Sequence, residues 1–168
     1  MSKDSRGLNT LFRGLPTPET QAFQMLVAFC DTNPVAVRSA LPFAAAEVSN
    51  NSGFERFFRF VLDHSGANIY VSQDRGRFNA KYDLSLSDAE HRRLLDSTDA
   101  RGTISVPSAF GVFIALRRSA MLAEIKAGRP DREIARTLGA SIRAVKQERR
   151  RARELQSTGN GPSANTWS

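Results

Sequence analysis

The stretch 128–155, GRPDREIARTLGASIRAVKQERRRAREL, decides how the rest of the chain is read. Pro130 with Asp131 starts a short helix, and Ile134, Ala135 and Leu138 give it an apolar face. Gly139 permits the left-handed backbone that ends it. Ser141 is placed to cap a second helix, whose Val145, with Ile142 or Ala144, faces inward while arginines occupy the outside. Two short helices crossing through a tight glycine turn need a small residue at the crossing, a glycine in the turn and a branched apolar residue locking the second helix on the first. Ala135, Gly139 and Val145 stand at those places. The stretch therefore predicts a helix-turn-helix.

Charge concentrates in the same region. The 168 residues carry a net charge of +7, with 24 Lys and Arg against 17 Asp and Glu. Lysine occurs only at 3, 81, 126 and 146, so the basicity is mostly arginine. Between Arg117 and Arg153, twelve basic residues face four acidic ones (Glu124, Asp131, Glu133 and Glu148), a net charge of +8 that leaves the remainder at −1. An electrically balanced body joined to an arginine-rich segment points to a polyanionic partner.

Upstream, helical spacing recurs. Ala22, Phe23, Met25, Leu26, Phe29 and Cys30 predict a first helix over 19–30. Asn33 before Pro34 predicts a cap and a second helix over 35–48, interrupted or kinked at Pro42. Phe54, Phe57, Phe58, Val61 and Leu62 form the stripe of a third helix, closed by His64, Ser65 and Gly66. Two runs of strand formers, 67–71 and 103–106, can pair. Between them QDRGRFN reads as a turn, and Ser87 with Glu90 forms a capping box for a helix through Leu94 and Leu95, with His91 expected on its solvated side. Apolar positions from Phe110 to Ala127 predict a long helix.

The expected fold is mainly α: an N-terminal helical domain with a short β-hairpin or two short strands, followed by a C-terminal helix-turn-helix. The expected divisions are a flexible arm (1–17), a helical dimerisation domain with short strands (18–107), a DNA-binding domain (108–156) and a disordered tail (157–168) in which Trp167 has no assigned role.

REIARTLGASIRAVK resembles the helix-turn-helix of bacterial and phage transcription regulators. A narrower likeness reaches the Mor/C family of phage transcription activators, in which a strand ending in proline leads into a helix, a glycine and the helix-turn-helix. TISVP, the helix carrying Arg117, Arg118 and Ile125, and Gly128 occupy those places here. GANIYV also resembles the family strand but lies far upstream, and Glu148 stands where such motifs often carry an apolar residue.

If the helix 141–153 enters the major groove of double-stranded DNA, Ser141, Arg143, Lys146, Gln147 and Arg150 point toward it. Arg143 and Gln147 suit guanine and adenine edges, whereas Arg149, Arg151 and Arg153 suit phosphate. The expected function is a sequence-specific transcription regulator acting as a homodimer, with RNA polymerase a further candidate partner. The alternatives are a DNA-recognition or adaptor subunit of a larger assembly, such as the small subunit of a phage packaging enzyme, and a protein-binding module. The homodimer is expected around Phe23, Phe29, Phe54, Phe57 and Phe58.

Other classes have less behind them. The chain lacks a glycine-rich phosphate loop and a recognisable nucleophile constellation, so the expectation is a non-enzyme without cofactor. One cysteine, Cys30, and two histidines cannot build a Cys/His metal cluster. With no run approaching the roughly 20 apolar residues that span a bilayer and no apolar signal segment at the N-terminus, a cytoplasmic, membrane-free protein is expected.

Overall fold

A computed structural model of the chain describes residues 16–159. The expected arm, apart from residues 16 and 17, and the tail beyond residue 159, with Trp167, lie outside them.

Helix α1 (Gln21–Thr32) is capped by the Thr20 hydroxyl, which accepts from the Phe23 amide, and it buries Phe23, Leu26 and Cys30. Its end differs from the expected cap. Asn33 occupies the N-cap position of α2 (Pro34–Ala40) without a capping bond; its side-chain amide instead donates to the Phe29 carbonyl at 3.0 Å. The same carbonyl also accepts from the Asn33 backbone amide at 3.1 Å, so Asn33 closes the last turn of α1 through both its amides. Pro42 cannot continue a helix, and the expected kinked helix is two: α2, and α3 (Phe43–Ser52).

Helix α4 (Phe54–His64) buries Phe54, Phe57, Phe58, Phe60 and Val61. Phe58 meets Phe23 edge-on at 6.2 Å and stacks on Phe54 at 6.2 Å. Phe23, Phe57 and Phe58 are each 0% exposed. Phe23, Phe54, Phe57 and Phe58 therefore fill the core of the chain itself, so these four, expected at a dimer face, are covered from within one copy, while Phe29 is half-buried.

Strand β1 (Asn68–Tyr70) pairs antiparallel with β2 (Thr103–Ser105), Ile69 opposite Ile104. The segment between them holds two helices. The expected turn QDRGRFN begins α5 (Arg75–Tyr82): Asp74 caps it by accepting from the Arg77 amide, and Phe78 anchors it at full burial. The predicted capping box opens α6 (Asp88–Asp96) with both of its bonds formed, and Glu90 also accepts from the Asn51 amide at 3.2 Å. His91 is not solvated. It is 5% exposed, its Nε2 lies 2.8 Å from the Ser72 carbonyl oxygen, and its ring faces Phe78 at 6.1 Å.

The long helix α7 (Ala109–Lys126) starts at a Ser108 cap. Its Ser119 hydroxyl donates to the Ala115 carbonyl and toward the Ala36 carbonyl of α2, at 3.1 and 3.4 Å, so α7 seats on the N-terminal helices. From its far end the chain passes into α8 (Asp131–Leu138) and α9 (Ile142–Gly159). The apolar residues of all these elements join one core, from Phe23 to Val145. The protein is mainly helical with a two-stranded antiparallel sheet. No described helix is long and apolar enough to cross a membrane.

Candidate nucleic-acid interface

The turn between α8 and α9 is built from the residues that predicted it. Gly139 adopts φ +62, ψ 30, a left-handed conformation that costs a residue with a side chain roughly 1–2 kcal/mol. Ala140 returns its amide to the Ala135 carbonyl at 3.0 Å. Ser141 caps α9, its hydroxyl accepting from the Ala144 amide at 3.1 Å. Ile134, Leu138 and Val145 are fully buried where the helices meet, and Ala135 is 7% exposed. Ile142 is 41% exposed, so the inward pair at the start of α9 is Ala144 and Val145.

Ion pairing divides the basic residues of 117–153, Arg117 apart, into two groups. All four acidic residues of the segment are engaged by arginine. Arg129 bridges Glu124 at 2.7 Å and Glu133 at 2.9 Å, tying the end of α7 to α8. Arg149 places Nε and Nη2 at 3.0 and 2.7 Å from Asp131 Oδ1 and also donates to the Arg129 carbonyl. Glu148, 6% exposed, accepts from Arg118 of α7 at 3.0 Å and from Arg151 at 3.2 Å. A buried carboxylate is tolerated only when paired, and two guanidinium groups explain why this helix carries Glu at an inward position. Arg117 lies over the Phe113 ring, 5.6 Å from its centroid.

The second group has no such partners. Lys126, Arg132, Arg136, Arg143, Lys146, Arg150 and Arg153 are exposed, and among the described residues none of them forms an ion pair or side-chain hydrogen bond. Arg143, Lys146, Gln147 and Arg150, with Ile142, line one shallow groove on the outside of α9. Their spacing keeps them together, since residues three, four and seven apart share a helix face.

Of the eight residues expected to meet DNA, the structure therefore brings Arg143, Lys146, Gln147 and Arg150 into one surface and puts Ser141 at its edge as a cap. Arg153 is free on the same helix. Arg149 and Arg151 are held by Asp131 and Glu148. Lys126 at the end of α7 is a free cation outside the expected set, and so are Arg132 and Arg136, one turn apart on the outside of α8. The i, i+4 spacing of Arg132 and Arg136 opposite Ile134 and Leu138 was the available signal.

Comparison with known proteins yields no counterpart: no family model, no curated protein and no solved structure matches the chain.

Proposed function

We propose that the chain is a sequence-specific DNA-binding regulator of bacterial or phage type that reads the major groove with the outer face of α9. The observation that carries this reading is the set of unneutralised cations around a helix-turn-helix turn: every carboxylate of the segment is matched, and what remains is positive and exposed. Such a surface gains free energy from a polyanion by releasing its counterions. Arg143 lies in the first turn of α9, where a recognition helix approaches base edges, and its fork suits guanine O6 and N7. Gln147, one turn on, suits adenine. Lys146, Arg150, Arg132 and Arg136 serve phosphate. The likeness to Mor/C activators, carried by the residues quoted above, agrees with a transcriptional role.

Selection of duplexes from a random pool tests the reading. The wild-type chain enriches a defined site, and Arg143→Ala loses roughly 1–3 kcal/mol on that site while binding scrambled duplex nearly as well. Equal losses on both duplexes would put another helix or another face in the groove.

A further inference from the structure

Helix α9 carries a second exposed surface, on another side from the cationic groove. Val145, Glu148, Ala152 and Leu155 follow one another at i, i+3, i+7 and i+10, so one stripe runs the length of the helix. Only its first half is covered: Val145 and Glu148 are buried, Ala152 is half-buried, and Leu155 is 75% exposed. Leu122 of α7 faces the uncovered half, and together they frame a groove of about 320 Å³ whose length reaches Thr158.

The rim of this groove is electrically unlike its surroundings. Arg118 and Arg151, both held by Glu148, stand there with Glu154, so the four charges of the rim sum to zero beside the 117–153 segment and its net charge of +8. Both signs in equal number, beside an apolar floor and an unburied leucine, meet the requirement of a two-fold contact: each group must find its complement on an identical surface. A strongly acidic partner would gain nothing from a rim already balanced.

We propose that this groove is the self-association surface of the protein, and that a second copy occupies it. The two α9 helices run antiparallel across the axis, so that Leu155 of each copy enters the groove of the other over Leu122 and Ala152. At 100° per residue, Leu155 lies about 120° round α9 from Arg143, about 140° from Arg150 and about 180° from Lys146, so pairing leaves the cationic face open. The use of the dimer, bringing two recognition helices to one duplex, rests on the DNA-binding reading; the contact itself does not.

Sedimentation of the full chain without DNA at about 100 µM tests it. Wild type sediments as a dimer. Leu155→Glu weakens association at least about tenfold, the loss expected of a central anchor, and sediments as a monomer with an unchanged helical spectrum, because Leu155 is exposed within one copy. Phe110→Glu, at another exposed apolar residue (70%), remains a dimer. A monomeric wild type, or a Leu155→Glu chain that associates like wild type, overturns the proposal. Since no DNA is present, neither result depends on whether the chain binds it.

Discussion

Two adjacent arginines should fail in opposite ways. Arg149 holds Asp131 through Nε and Nη2 and the Arg129 carbonyl through Nη2, with side-chain exposures of 27% for Arg149 and 24% for Asp131. Charge-assisted bonds of this kind contribute about 1.5–3 kcal/mol when sheltered, and an exposed pair contributes at most about 1 kcal/mol. At this intermediate exposure, Arg149→Ala should cost about 1–2 kcal/mol. For a chain of this size, each kcal/mol lowers the melting midpoint by about 2–4 °C, which places the expected drop at about 2–8 °C. Arg150, exposed and unpaired, should change stability by less than about 0.5 kcal/mol on truncation. On DNA the order reverses. Arg150→Ala should lower the slope of log affinity against log salt by about 0.9, the equivalent of one phosphate, whereas Arg149→Ala leaves the slope unchanged. Thermal unfolding followed by circular dichroism, with fluorescence anisotropy across a salt series, measures both quantities on both variants. An Arg149→Ala chain that melts like wild type and loses a unit of salt slope would refute the division of the arginines.

Gly139→Ala forces a side chain into φ +62 and should cost about 1–2 kcal/mol, read as a lower melting midpoint. Burial, with the charge of Asp31 beside it and against the smaller pull of Arg38, pushes the Cys30 thiol far above its ordinary range. The folded state thus keeps a proton that the unfolded chain releases above about pH 8.5. Its stabilising effect is complete below that pH and declines as pH rises further, so between pH 7 and pH 10 wild type should lose more stability than Cys30→Ala, measured by urea unfolding at each pH; equal losses would place the thiol in contact with water.

The helix-turn-helix was legible because every determinant is local. Ala135, Gly139, Ser141 and Val145 lie within eleven positions, and turn, cap and contact follow from conformational preference and spacing. The capping box of α6 was legible for the same reason. Helix α5 was not: QDRGRFN contains a glycine and few apolar residues, and what makes it helical is Phe78 sinking into a core assembled from distant elements. His91 reads as solvated beside Arg92 and Arg93, yet its partner, the Ser72 carbonyl, arrives from nineteen residues upstream. The sorting of the arginines was hidden likewise, since Arg118 meets Glu148 across thirty positions and Arg149 meets Asp131 across eighteen. Composition shows how much charge there is, and only the fold shows which of it is left over. The phenylalanines show the same limit, because an apolar stripe says that a face is covered and not by what.

The most direct test of the central claim is the salt dependence of binding to a random-sequence duplex, with wild type beside the double variant Lys146→Ala/Arg150→Ala. Both substitutions remove exposed, unpaired cations from the outer face of α9. If that face meets the phosphate backbone, wild-type affinity falls steeply with log salt, and the slope for the double variant is shallower by about 1.8, near 0.9 for each phosphate that is no longer neutralised. Identical slopes for the two chains, or no binding by wild type even at low salt, would contradict the account.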